Sequence, residues 1–499
     1  MSRREGDDEI LGMARGGGLN LIGSAWSHVA LLVISLFLAR MLGRGDVGLY
    51  WQAYAVLSVL NLLSLSGFGP ALTRFVAVYR AQEDEGSIRG VVRVGLGLAV
   101  SVSVVLAVSL WTLTPWLADR AFDDPRLLDP LRLVALTLPV MTLTDAALGA
   151  TKGYKTMKPF ALIKLVLEPT ARVALTVILI AGGLDLEGAM IALLVSNIAA
   201  AALASVALRR LLPTTRSAPV YRPRDVFGFS MASWLASLST SGLIWADTVL
   251  LGLYLPSGEV GIYNVAARLV VLASFVMLPI NSSLAPRIAD LYQRGKTETL
   301  RRAYAAATAW IVRLSLPAFI VIVVFPDALL RLFGPGFVSG ATVTVLLAAG
   351  KLVDAATGPC AMMLNMSGRP TMNMVNNILG LILNIVLNIA LIPSQGIVGS
   401  AIAWAVTLVL MNIARVTQVR LTMDMLPFQG GVAKALLAAS GAAAVGAATR
   451  IGLAGASEIV IGVSLVGLTY LGLTIALGIT REDRLALAAL GLSRRTVSG

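Results

Sequence analysis

Apolar runs of roughly 20 residues recur from one end of the chain to the other, separated by polar or Gly/Pro-rich stretches. A helix of that length crosses about 30 Å of hydrocarbon. Fourteen such spans are predicted, at 18–42, 47–73, 90–113, 130–151, 159–182, 187–208, 226–254, 260–285, 303–325, 340–363, 372–393, 397–419, 432–454 and 458–479. The composition points the same way. Only 13% of the 499 residues are charged and 57% are hydrophobic, where a soluble domain has roughly a quarter charged. There is too little polar surface to cover a globule in water. The expected class is an all-α integral membrane protein. The first run is too long for a cleavable signal, and no small-x-small site precedes a polar start.

The loops set an orientation. With the N-terminus placed in the cytoplasm, 28 of the 40 Lys and Arg residues fall in inner segments and 7 in outer loops. Cytoplasmic loops retain positive charge, so both termini are expected inside. The same alternation accounts for the net charge of +13 without nucleic acid as a partner.

The chain also repeats itself. Gly45–Tyr50 reads GDVGLY, and Gly258–Tyr263 reads GEVGIY 213 residues later. Leu72-Thr73-Arg74 meets Ala285-Pro286-Arg287 at the same offset. Gly188–Ala192 meets Gly399–Ala403, and Gly153, Thr156 and Met157 meet Gly368, Thr371 and Met372, at nearly that offset. Collinear weak symmetry of this kind points to a transporter fold built from repeated bundles. Six helices per repeat is an even number, so the two repeats are expected to run parallel. The predicted organisation is an N-terminal cytoplasmic segment (1–17), a first lobe (18–208), an interlobe linker (209–225), a second lobe (226–419), two extra helices (420–479) and a cytoplasmic tail (480–499).

Much chemistry is excluded. One cysteine, Cys360, cannot form an intrachain disulfide or a Cys-cluster metal site, and one histidine, His28, leaves no His-rich metal site. No P-loop, dinucleotide-binding Gly-rich turn or HExxH motif occurs, so neither cofactor nor metal is expected.

Away from the span ends, nine charges lie inside predicted spans: Lys164, Arg172, Arg268, Arg313 and Lys351, with Asp145, Glu168, Asp247 and Asp354. Each costs about 2.5–3.5 kcal/mol or more at mid-helix, which makes it a functional-site candidate by default. A structural reading stands beside the functional one. Lys164, Glu168 and Arg172 follow at i, i+4, i+8 and share a helix face, so Glu168 could neutralise both neighbours. Lys351 and Asp354 form an i, i+3 pair, and Asp247 could pair with Arg268. Lys164 could also snorkel, while Arg313 has no local partner in sequence. Taken as a set, the nine draw on both repeats and are expected to face a shared polar cavity that slightly favours an anion. Trp26 and His28 are candidate lining residues. Asn373, Asn376, Asn377, Asn384 and Asn388 read as interhelical glue. Pro139, Pro169, Pro279 and Pro317 are expected to kink their helices.

The LARMLGRGDVGLY…GFGPALTRF stretch (38–75) resembles the opening signature of polysaccharide or oligosaccharide flippases of the multidrug/oligosaccharidyl-lipid/polysaccharide exporter superfamily. Asp247 followed by EVGIYNVAARL resembles the equivalent signature of their second lobe, and GAMIA and GSAIA, after the fifth and eleventh helices, fit the same pattern. The resemblance implies a V-shaped pair of six-helix lobes plus two C-terminal helices, working by alternating access in the cytoplasmic membrane. It implies a lipid-linked oligosaccharide on a polyprenyl pyrophosphate as substrate, moved from the inner to the outer leaflet. Membrane lipids, and a polysaccharide polymerase or glycosyltransferases, are the implied partners. A diphosphate needs cations in a low-dielectric cavity. Lys164, Arg172, Arg268, Arg313 and Lys351 would supply them, with Asp145, Glu168, Asp247 and Asp354 tempering the charge or coupling to ions. A cation-coupled multidrug exporter of the same superfamily and a transport-inactive scaffold of an envelope-synthesis complex are the alternatives.

Overall fold

The computed structural model describes residues 3–212, 218–221, 223–275, 277–427, 431–452 and 456–477. The expected tail, 480–499, and part of the expected linker lie outside the described residues. Every regular element described is helical, in the order α1 (Arg3–Met41), α2 (Gly43–Leu65), α3 (Phe68–Ala81), α4 (Glu85–Trp116), α5 (Leu128–Gly153), α6 (Glu168–Ala181), α7 (Asp185–Leu211), α8 (Pro223–Tyr254) and α9 (Ser257–Ala273). There follow α10 (Met277–Gln293), α11 (Thr297–Val324), α12 (Pro326–Arg331), α13 (Ala341–Thr357), α14 (Cys360–Met366), α15 (Pro370–Met423), α16 (Gly431–Gly452) and α17 (Ala456–Ala476).

Each predicted span coincides with helix, but the helices are cut differently. Among the described residues nine stretches are long and apolar enough to cross a membrane, or ten if α9 and α10 together form one. The difference from fourteen has identifiable causes. At 54 residues, α15 is about 80 Å long at 1.5 Å per residue, far more than one crossing. Gly396 breaks it with φ 59°, ψ −138°, between the expected runs 372–393 and 397–419. Conversely, the expected run 47–73 is cut at Ser66 and Gly67, both left-handed (φ 42° and 75°), so α2 ends at Leu65 and α3 continues to Ala81. The run 159–182 opens as a π-helical stretch, Phe160–Leu167. Pro169 then stands in the first turn of α6, where its missing N–H is tolerated.

Burial is inverted relative to a soluble protein. Asn61, Ser103, Thr114, Thr137 and Thr142 are buried, while Val105, Val108, Ile178, Leu379 and Leu468 are exposed. Polar groups turn inward and apolar side chains outward, as a hydrocarbon solvent requires. The chain is a multi-pass membrane protein.

Packing divides the chain into two compact units, residues 1–268 with 377–403 and residues 269–376 with 404–499. In the first unit, Phe68, Leu72 and Val76 of α3 pack on Ile88 and Val92 of α4, Ala146 and Ala150 of α5, and Ala204 of α7. Small residues allow these helices to approach closely. In the second unit one cluster joins Tyr304, Met363 and Val419. Another joins Val312 and Phe325 to Ala438 and Ala442 of α16 and to Val466 and Tyr470 of α17.

The two copies of the repeated motif meet inside the first unit. A Cβ on Gly48 would overlap the Ser257 carbonyl and lie 3.1 Å from the Gly261 nitrogen. A Cβ on Gly261 would overlap the Arg44 carbonyl and lie 3.0 Å from the Gly48 nitrogen. These glycines occupy equivalent motif positions and touch backbone to backbone. Arg126 clasps the same region, with Nη2 2.8 Å from Asp124 and 3.1 Å from the Ser257 hydroxyl, and Nη1 3.7 Å from Asp46.

Candidate functional site

Lys164 lies in the π-helical stretch, and Glu168 follows directly after that stretch at the start of α6. Lys164 Nζ lies 2.9 Å from Asp145 of α5. Asn61 of α2 donates to the other oxygen of Asp145 at 2.9 Å and accepts from Thr142 at 2.9 Å. Asp145 is therefore held from two sides. Glu168 pairs with Arg172, the second half of the expected ladder, and loosely: Nε to Oε1 is 3.6 Å.

Arg172 is the most telling residue. It is 2% exposed, and its Nε and Nη1 find no hydrogen-bond partner among the described residues. A buried donor left unmade costs about 1–3 kcal/mol, more when charged. It lines a cavity of about 120 Å3 with Lys164, Glu168, Tyr54, Asn197 and Ser27. Its guanidinium carbon stands 5.4 Å from the centre of the Tyr54 ring.

Tyr54 opens an aromatic chain. Its ring lies 5.5 Å from Trp51 and 5.2 Å from Trp245 of α8. Arg268 of α9 sits on both indoles, 4.1 Å from Trp51 and 5.5 Å from Trp245. Among the described residues Arg268 makes no ion pair, so the expected pairing with Asp247 is not formed. Two cations are thus held at opposite ends of a π-surface, one without a carboxylate and one with a distant one.

Asp247 belongs to a separate network. At 3% exposure, it accepts from the Tyr263 hydroxyl at 2.8 Å and from Asn388 Nδ2 at 2.9 Å. Around it, Asn384 Nδ2 and Oδ1, Asn388 Oδ1 and Ser400 Oγ are buried without partners among the described residues. Here the asparagines are more than glue, because they surround a carboxylate with unused amide and hydroxyl groups.

The remaining candidates lie in the second unit. Lys351 Nζ and Asp354 are 2.8 Å apart, the local pair the spacing predicts. Asn412 Nδ2 donates to the other Asp354 oxygen at 3.0 Å. Arg313 on α11 is engaged by its surroundings, and its carbonyl accepts from Tyr470 of α17 at 3.0 Å. Arg415, four residues from the end of the predicted span 397–419, lies within α15 at 8% exposure and donates to Asn373 at 3.1 Å. Trp26 donates to Thr170 at 2.8 Å and is 43% exposed. The exposed His28 ring closes on the Ser24 carbonyl of its own helix at 2.7 Å. From α1 it is Ser27 and Leu31 that line the first-unit cavity.

Sequence reasoning missed Trp51, Tyr54, Trp245, Asn61 and Arg415. The run Tyr50-Trp51-Gln52-Ala53-Tyr54, directly after GDVGL, was the available signal for the aromatic chain.

Comparisons with known proteins fit this architecture. Residues 13–292, more than half of the chain, match the family model described as polysaccharide biosynthesis protein. Residues 232–390 match the MatE model. The probable flippase AglR of Haloferax volcanii is 28% identical over 236 residues, 46% of this chain and about half (48%) of that protein. The probable low-salt glycan biosynthesis flippase Agl15 of the same organism is 22% identical over 375 residues, 74% of this chain and 76% of that one. In fold, the lipid II flippase MurJ in an inward closed conformation superposes with a TM-score of 0.74 at 12% identity, covering 94% of this chain and 98% of that chain. This chain belongs to the polysaccharide biosynthesis protein family, and its fold is that of the lipid II flippase MurJ.

Proposed function

We propose that the chain carries a lipid-linked oligosaccharide, on a polyprenyl pyrophosphate, from the inner to the outer leaflet of the cytoplasmic membrane by alternating access. The two six-helix repeats would be the moving lobes, with both termini inside, and envelope polymerases or glycosyltransferases would supply and consume the cargo. The observation that carries this reading is Arg172, whose buried guanidinium keeps two N–H groups unused beside Lys164. An oxyanion is the ligand such donors select. Arg268, on its π-surface, is the third cation we assign to the diphosphate. The name of AglR supports a flippase, that of Agl15 a glycan cargo, and the MurJ-like fold a lipid-linked one.

Asp247 is assigned to ion coupling. Its carboxylate has neutral donors only, and the unused oxygens of Asn384, Asn388 and Ser400 stand near it. The same network, with the MatE match, favours one second reading, a cation-coupled drug exporter. Lipid mass spectrometry on the gently purified protein separates the two. Polyprenyl-linked sugars above a control membrane protein, lost in Arg172→Gln at normal membrane levels, support the flippase. Ordinary phospholipids alone, with proton- or sodium-driven dye efflux from vesicles, establish the exporter. A scaffold would tolerate substitution of every one of these charges.

A further inference from the structure

The cations of the first unit form a ladder, and its outermost rung has no carboxylate. Lys152 lies in the last turn of α5. It follows Asp145 by seven residues, which at 3.6 residues per turn and 1.5 Å per residue puts both on one face, about 10 Å apart. Asp145 holds Lys164 at 2.9 Å, and Glu168 pairs with Arg172. Lys152, Lys164 and Arg172 therefore exceed these carboxylates by one, and the cation left over is Lys152. Among the described residues it makes no ion pair. Its Nζ lies 3.4 Å from the centre of the Phe160 ring, and Phe160 opens the π-helical stretch that carries Lys164. An aromatic face attracts an ammonium without taking up its N–H donors.

Two further observations set Lys152 apart from ordinary loop charge. It is half-buried with part of its surface open, whereas Lys155 and Lys158 are exposed. The repeat does not require it either. At the offset of 215 that aligns Gly153, Thr156 and Met157 with Gly368, Thr371 and Met372, these lysines meet Ser367, Pro370 and Asn373. The charge pattern of the sequence puts this end of α5 on the cytoplasmic face, where a headgroup would arrive. Lys164 and Arg172 must each trade a carboxylate for the cargo. Lys152 has none to trade, so it is the rung free to bind first. A compact ammonium with three donors suits a phosphate.

We infer that Lys152 makes the first contact with the cargo's diphosphate, at the mouth of the first unit, and passes it to Lys164 and Arg172. The assignment rests on the flippase reading and deepens it by naming the residue that captures the headgroup.

The test is translocation of a labelled polyprenyl-pyrophosphate glycolipid by the full-length protein in phosphatidylcholine vesicles. Lys152→Met keeps an apolar stem on Phe160 and removes the charge. A charge at the rim of a site acts on capture, so KM should rise about fivefold or more while kcat stays within about twofold of wild type. Added salt should raise the wild-type KM and move that of Lys152→Met much less. Lys152→Arg should recover most of the lost KM, and Lys158→Gln, a control for general surface charge, should keep the wild-type value. An unchanged KM in Lys152→Met, a loss in kcat alone, or an equal rise in Lys158→Gln would overturn the inference. So would an effect that appears only when phosphatidylglycerol is added, which would make Lys152 a site for bulk anionic lipid. The two readings fail separately. Wild-type vesicles that move no glycolipid would remove the flippase reading and this capture step with it. Transport by Lys152→Met indistinguishable from wild type would sink the capture step alone.

Discussion

Arg268 separates a structural role from a functional one. Its guanidinium lies 4.1 Å over Trp51 and 5.5 Å from Trp245. Cation–π contacts of this kind contribute about 0.5–2 kcal/mol. Arg268→Gln gives up that contact, and with it a modest amount of folded-state stability. If Arg268 also binds a phosphate oxygen, the substitution removes a charge-assisted hydrogen bond of about 1.5–3 kcal/mol. At 1.4 kcal/mol per tenfold, that is a loss of roughly 10–150-fold in transport. Arg268→Lys keeps the charge and loses the planar fork, so it should recover only part of the activity. The assay is translocation of a labelled polyprenyl-pyrophosphate glycolipid in proteoliposomes, run beside thermal melting of the same preparations. Expected are a small drop in melting temperature for both variants and a large transport loss for Gln. Wild-type transport in Arg268→Gln, with the melting drop intact, would refute the anion role and leave only packing.

Gly261→Ala places a Cβ against the Arg44 carbonyl and the Gly48 nitrogen, neither of which yields. It should cost about 1–3 kcal/mol by overpacking, whereas Gly45→Ala, which meets only the flexible end of Arg126 at 3.6 Å, should melt like wild type. Asp247→Ala strands the Tyr263 hydroxyl and the Asn388 amide, at about 1–3 kcal/mol each. Asp247→Asn should fold well and lose ion-coupled transport, and unchanged dependence on sodium and pH would reject the coupling role. At Asp124, in the loop between α4 and α5, burial alone would raise the carboxyl pKa. Donors from Arg126 and Ser257 outweigh it, so the carboxyl lies below its ordinary value. Its stabilising contribution is therefore present above the ordinary carboxylate pKa of about 3.9 and is lost only as pH falls below that. Asp124→Asn should lower the melting temperature at pH 7, and the difference from wild type should shrink as pH falls below the ordinary carboxylate range, while a difference that grows with acidity would contradict the sign.

Helix positions were legible because hydrocarbon thickness imposes a length, and length survives without tertiary information. Where helices break was less legible. Gly396 could be placed between two apolar runs, and Gly67, Gly69 and Pro70 mark the end of the second helix just past Ser66, although the predicted run 47–73 passes through them. The intramembrane charges were found by their cost, and their partners were not. Lys164 turns to Asp145, a partner on another helix that spacing within one helix cannot name. Arg268 goes to tryptophans because aromatic faces carry no formal charge to be counted. Arg415 was hidden for the opposite reason. It sits where cytoplasmic arginines are expected, and only its burial against Asn373 reveals otherwise. The repeated motif was legible as repetition, while the touching of Gly48 and Gly261 needed coordinates.

If Arg268 takes the cargo's phosphate, the π-surface that carries it bears on how fast cargo leaves. Separating one partner of a buried ion pair costs about 3–5 kcal/mol. Had Asp247 neutralised Arg268, every loading event would have to break such a pair, and every unloading event would remake it. An indole face solvates the guanidinium without occupying its N–H groups. The cation is therefore stored in a state near in energy to its loaded one, and such shallow exchange favours a carrier that must release what it holds on every cycle.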